Sequence, residues 1–263
     1  GLSVLPFAGG ILGTVSPIES KALPPGSKRD LFKELGIRTF INAAGTYTFM
    51  TGSLMRDEVV EAIRSTSHDF CLLDELQDKV GEKIAQLTKA ESAVVTAGCF
   101  SAMTLGLAGV LTGLDPKNAE RLPHLAGSGM KSEVIVQKGH NVGYSQALTN
   151  TGCTIVFAET IADVEKMINE KTAMLWFLNI QSDKGVITHE EWVALGKKHH
   201  IPTMIDIAAD VPPVSNLWKF NEMGFDLVCI SGGKALRGPQ SAGILMGKKD
   251  LIAAARLSMP PRG

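Results

Sequence analysis

Lys234 closes the run Ser231-Gly232-Gly233-Lys234, directly after an apolar stretch of strand length. Lysine is the side chain whose amine forms Schiff bases with carbonyl groups, and desolvation favours the neutral amine that such chemistry needs. A lysine beside glycines at a strand end can equally face solvent. Downstream, Arg237-Gly238-Pro239-Gln240 adds a second cation and a tight turn. Asp206 ends another apolar stretch, in Thr203-Met204-Ile205-Asp206-Ile207-Ala208-Ala209-Asp210. A carboxylate buried there needs a partner, because an unpaired buried charge is costly. A ring N–H⁺ would serve, as would the N–H groups of a helix start or a salt bridge. The third group is Thr96-Ala97-Gly98-Cys99-Phe100-Ser101, between an apolar run and an apolar helical segment. Small residues let backbone N–H groups approach an anion, and the helix dipole favours negative charge at that end. A phosphate fits such a turn, but no Gly-Lys-Ser/Thr follows, so it is not a Walker loop.

The elements that must position these residues follow from the hydrophobic pattern. Apolar runs of strand length lie at 92–96, 133–137, 154–158, 173–178, 203–207, 226–230 and 242–246. None alternates cleanly, as expected for strands of a sheet covered on both faces. Helical patterns lie at 57–65 and 72–87, and between most strands at 101–111, 161–169, 190–199 and 216–223. Thr188 is the expected N-cap of the third of these interior helices, 190–199, with Glu191 three residues on to complete a capping box. Alternation of this kind predicts an α/β fold with a mostly parallel sheet and right-handed crossovers. The last two runs are joined by about eleven residues without a helical pattern, so the last strand is expected to be antiparallel. All three chemical groups then fall at carboxyl ends of strands, where open α/β sheets place ligands.

The 263 residues carry a net charge of -1, with 44% hydrophobic and 20% charged residues. These values describe an ordinary globular protein and give no global pull towards nucleic acid or anionic membranes. Cys71, Cys99, Cys153 and Cys229 lack metal-ligand spacing and are expected to be free thiols. The first thirteen residues are apolar and uncharged, too short to span a membrane. They read either as the remnant of a signal peptide or as an arm packed on a partner subunit. The compartment stays open between cytoplasm and, on the signal reading, periplasm. The expected organisation is an apolar arm and linker over 1–29, a helical segment over 30–90 and a ligand-binding large domain over 91–263.

Taken in this order, the turn at 96–101, the strand-end Asp206 and the Ser-x-x-Lys at 231–234 resemble the fold-type I pyridoxal 5′-phosphate (PLP) enzymes. Within them, Ile41-Asn42-Ala43-Ala44-Gly45-Thr46, Asp206 to Pro213 and Ser231 to Gln240 resemble the selenocysteine synthase-like branch, which holds selenium transferases and amino-sugar-acid ammonia-lyases. The resemblance covers roughly residues 30 to 263. It implies a seven-stranded, mainly parallel sheet with one antiparallel strand, and a small C-terminal domain that this sequence lacks. It assigns Ala97, Gly98, Cys99 and Ser231 to the cofactor phosphate, Asp206 to the pyridine nitrogen and Lys234 to the aldehyde carbon. It also sets His140 where such enzymes stack a ring on the cofactor, and Asn179 where it can face the phenolic oxygen. For both, an ordinary structural role is the alternative.

Three functions remain in play: an α,β-eliminating lyase on an amino acid or amino sugar acid, a selenium or sulfur transferase on an aminoacyl group, and a non-catalytic or inert PLP-fold chain. Residues 21–33 hold four Lys/Arg against one acid, too few for tRNA, which favours a small amino substrate and no nucleic acid. The resemblance also implies a homodimer or larger homo-oligomer, in which the segment 42–46 reaches a neighbour's site.

Overall fold

The computed structural model describes residues 29–259. The arm and linker expected before residue 29, and the Pro-Pro turn after 259, lie outside the described residues. The chain divides into two units, 1–43 and 44–263. The described part of the first contains one short helix, α1 (Leu31–Glu34), capped by Asp30, whose carboxylate accepts from the Lys33 N–H.

The second unit opens with α2 (Asp57–Thr66) and α3 (Leu73–Thr88). There follow β1 (Ser92–Thr96), α4 (Cys99–Thr112), α5 (Pro116–Arg121), β2 (Glu133–Gln137), α6 (Gln146–Thr149), β3 (Thr154–Ala158) and α7 (Ile161–Met167). The remainder is β4 (Thr172–Leu178), α8 (His189–His199), β5 (Thr203–Asp206), α9 (Asn216–Met223), β6 (Leu227–Ser231), β7 (Gly243–Gly247) and α10 (Lys249–Leu257). The seven strands form one sheet in the order β1-β7-β6-β5-β4-β2-β3. β7 pairs antiparallel with both β6 and β1, and the other pairings are parallel. The expected seven-stranded sheet with an antiparallel last strand is therefore the observed one.

Successive side chains of a strand point to opposite faces, and both faces here are buried. Val134, Val136, Met174, Trp176, Met204 and Cys229 join one core with Met103 and Leu107 of α4 and Ile252 of α10. Ile135, Leu175, Phe177, Ile205 and Val228 join the other with Trp192 and Val193 of α8 and Phe220 of α9. Every residue of β4 is buried, which explains its unbroken apolar run. Thr188 caps α8 as expected, its hydroxyl accepting from the Glu191 N–H while the Glu191 carboxylate accepts from the Thr188 N–H. The four cysteines are free thiols, three buried and Cys71 exposed.

Candidate functional site

β1 runs into α4 through Ala97 and Gly98. Gly98 has φ +91°, a conformation that a side chain resists, and it stands at the N-cap of α4. Its N–H donates to the Thr96 carbonyl, and the Thr96 hydroxyl donates to the Gly98 carbonyl, both at 2.9 Å. No side chain caps α4, so the unpaired N–H groups of its first turn point out of the helix end. They face a cavity of about 780 Å³, lined here by Ala97, Gly98, Cys99 and Phe100.

β5 delivers Asp206 to the same cavity. The residue is 3% exposed. Its Oδ1 accepts from the Ala208 N–H at 2.8 Å and from the Cys99 thiol at 3.5 Å. Burial pushes its pKa up to about 6, against the pull of these two hydrogen bonds; the nearby Asp210 charge adds to the rise and Lys234 opposes it. The Cys99 thiol is itself driven well up by burial and stays a protonated donor. A carboxylate this dry gains most from a cation placed against it.

β6 ends at the buried Ser231, and the loop beyond it brings Lys234 into the cavity. The loop is pinned on both sides. Gly232 N–H donates to the Ala242 carbonyl at 2.7 Å, and Gly238 N–H to the Gly232 carbonyl at 2.8 Å. A strap at 52–56 crosses it: Ser53 N–H donates to the Gly233 carbonyl at 2.9 Å, and Arg237 Nε donates to the Leu54 carbonyl at 3.1 Å. Gly52, at φ +70°, lies so close that a Cβ there would stand 2.4 Å from the Gly233 oxygen.

Of the residues singled out from sequence, Ala97, Gly98, Cys99, Asp206, Ser231 and Lys234 line one cavity. His140 and Asn179 are not among its lining residues. His140 is fully buried, packs edge-on against Phe177 at 4.5 Å, and accepts the Leu178 N–H on Nδ1 at 3.2 Å. Burial lowers its pKa to about 4, so it is a neutral core histidine. The Asn179 Oδ1 stands 2.8 Å from Nε2 of His189. Ala44, Gly45 and Thr46, expected to reach a neighbour's site, line the cavity of their own chain. Sequence reasoning missed Tyr144, Gln181, Gln240 and the carboxyl of Asp210. For Asp210 the signal was present, since it lies four residues beyond Asp206 in the same strand-end motif.

A mostly parallel seven-stranded sheet with an anion-ready helix end, a buried carboxyl and a lysine at one carboxyl edge defines a fold-type I PLP enzyme. The aminotransferase class-V family model matches residues 60–260, and the chain belongs to that family of PLP-dependent enzymes. It is 30% identical over 238 residues to a D-glucosaminate-6-phosphate ammonia lyase of Salmonella typhimurium, covering 86% of this chain and 63% of that protein. It is 28% identical to an L-seryl-tRNA(Sec) selenium transferase of Carboxydothermus hydrogenoformans, over 90% of this chain and 52% of the relative. The solved structure of a D-glucosaminate-6-phosphate ammonia-lyase superposes with a TM-score of 0.81 at 29% identity, covering 88% of this chain and 64% of that one. The chain thus spans between about half and two thirds of the length of the relatives it matches.

Proposed function

We propose that this chain is the cofactor-holding part of a PLP-dependent, ammonia-lyase-like enzyme that removes a β substituent from an amino acid or amino sugar acid. The observation that carries this reading is the meeting of the α4 N-terminus, Asp206 and Lys234 in one cavity. The residues fit the cofactor. The uncapped N–H groups of α4, with Ala97, Gly98, Cys99 and Ser231, would hold its phosphate. Asp206, buried and in want of a cation, would hold the proton on the ring nitrogen. Lys234 Nζ would bond the aldehyde carbon. When bound, PLP supplies the electron sink for bond breaking at the substrate Cα.

The chain's own residues then set the course. Asp206 would keep the ring nitrogen protonated, because its charge is desolvated and has most to gain from a cation. Lys234 Nζ would serve as the general base that accepts the Cα proton. Departure of a β hydroxyl and hydrolysis yield a keto product and ammonia. The likeness to a selenium transferase supports a second reading, transfer to an aminoacyl group. We further propose a homodimer or larger homo-oligomer acting on a small amino substrate.

The test is a product screen with the full-length protein, PLP, and panels of amino acids and amino sugar acids. Release of ammonia with a stoichiometric keto product supports the lyase. Turnover of a seryl-tRNA that depends on selenide or thiosulfate, with no ammonia released, assigns the transferase instead. No turnover of either class by a PLP-loaded protein contradicts both.

A further inference from the structure

The cavity holds a second carboxyl that none of the roles above uses. Asp210 lines it together with Asp206 and Lys234. Its backbone is fixed, the N–H donating to the Ile207 carbonyl at 3.2 Å and its own carbonyl accepting from Asn216 Nδ2 at 2.6 Å. One carboxyl oxygen, Oδ2, is shut away from solvent and has no hydrogen-bond partner. Asn179 stands beside the carboxyl and opposes the rise of its pKa. The Asn179 amide is oriented in turn by His189: with Oδ1 facing the ring, its NH₂ is left for Asp210. The His189 ring is held between Phe177 and Phe220, at centroid distances of 4.5 and 5.5 Å. A row of polar groups therefore runs from the start of α8 to the cavity wall and ends on a carboxyl.

A carboxylate with one oxygen cut off from water and donors holds a proton more readily than a solvated one. Burial raises the Asp210 pKa, with Asn179 and Lys234 opposing the rise. The charged and titratable groups facing it among the described residues are Asp206 from β5, Lys234 from the loop after β6, and His189 of α8 behind Asn179. An amino substrate arrives mostly as an ammonium ion, as the lysine pKa of about 10.4 illustrates, and its nitrogen cannot form a new bond until a proton leaves.

We propose that Asp210 is the proton acceptor for the ammonium group of the incoming substrate, positioned by Asn179 and, through it, by His189. The inference rests on the PLP reading above. In the step, one N–H bond of the ammonium breaks and one O–H bond forms on the Asp210 carboxylate. A cation and an anion become two neutral groups, nothing is oxidised or reduced, and the nitrogen lone pair is free to bond.

Two measurements on the full-length protein test it. The first is carbon-13 NMR of aspartate-labelled, cofactor-free protein across pH. Two carboxyl signals should titrate above the ordinary aspartate range, and Asp210→Asn should remove one of them; an Asp210 signal that titrates with the exposed aspartates overturns the proposal. The second follows the absorption change when PLP-loaded protein meets methylamine between pH 6 and pH 9. Wild type should react with a shallow pH dependence. Asp210→Asn should be about a hundredfold slower at pH 7, its rate rising tenfold per pH unit as the free-amine fraction grows, while its PLP affinity stays within about threefold; Asp210→Glu should recover part of the rate. Equal rates and slopes in wild type and Asp210→Asn overturn the proposal. Failure of the PLP reading looks different: wild type itself then shows no reducible adduct on Lys234.

Discussion

Asp206 decides how the cofactor-free site responds to pH. Its carboxyl stands near 6 in the folded protein, against an ordinary aspartate value of about 3.9 when unfolded. The raised carboxyl binds a proton in the folded state that the unfolded state has lost, so stability falls as pH rises from about 4 to about 6 and stays low above that. Two pKa units correspond to about 3 kcal/mol. Asp206→Asn keeps the shape and the Ala208 contact without the charge. Cofactor-free Asp206→Asn protein should therefore be more stable than wild type at pH 7, by up to about 3 kcal/mol in urea denaturation, with the difference vanishing near pH 4. The loaded enzyme should show the opposite preference: without a carboxylate on the ring nitrogen, turnover should drop by orders of magnitude with a smaller loss of PLP affinity. Equal stability of the two cofactor-free proteins at pH 7 would mean that Asp206 is not the dry, uncompensated charge described here. The residue types of this site were legible from sequence because strand-end Asp and Lys are rare in apolar runs. The placements of His140 and Asn179 were not, because a loop histidine and a strand-end asparagine look the same whether they face a ligand or each other's neighbours.

At the scale of elements, the strap at 52–56 holds the lysine loop, whereas the capping box of α8 stabilises only the start of its own helix. Gly52 has two reasons to lack a side chain, its φ of +70° and the Gly233 carbonyl. Gly52→Ala should cost about 1–3 kcal/mol and, because the displaced carbonyl belongs to the lysine loop, should slow formation of the PLP adduct. A variant that loads PLP at the wild-type rate would show that the strap does not set the loop. Thr188→Ala removes only a cap and should cost about 1 kcal/mol without changing PLP loading; thermal melts and loading rates separate the two. The strap could not be read from sequence, since the contact joins residues 180 apart in the chain through backbone atoms. The cap could be, because Thr188 and Glu191 interact within one helical turn. The strands were legible for a similar reason: burial on both sheet faces leaves apolar runs that need no tertiary knowledge. α5, α6 and α10 were missed, α5 and α6 being only six and four residues long and α10 lying beyond the last strand, where strand–helix alternation gives no signal.

At the scale of the molecule, the apolar surface is unevenly spread. α2 has no buried residue, yet Val60 and Ile63 are each 47% exposed, and the exposed Phe70, Leu72 and Leu73 follow it. Amphipathic helices bury their apolar face somewhere, and a symmetric partner copy is the commonest cover. Light scattering of the full-length protein should give twice the chain mass or more at micromolar concentration, and Ile63→Lys should shift it towards monomer. A wild-type monomer would contradict the assembly while leaving the cavity as described.

The claim on which everything else depends is that Lys234 is the lysine that bonds PLP. The direct measurement is borohydride reduction of PLP-loaded full-length protein followed by peptide mass spectrometry, beside Lys234→Ala. The account predicts a pyridoxyl adduct on Lys234 in the wild type and none in the variant, which still binds PLP through the α4 end and Asp206. An adduct on another lysine, or none in wild-type protein saturated with PLP, would contradict it.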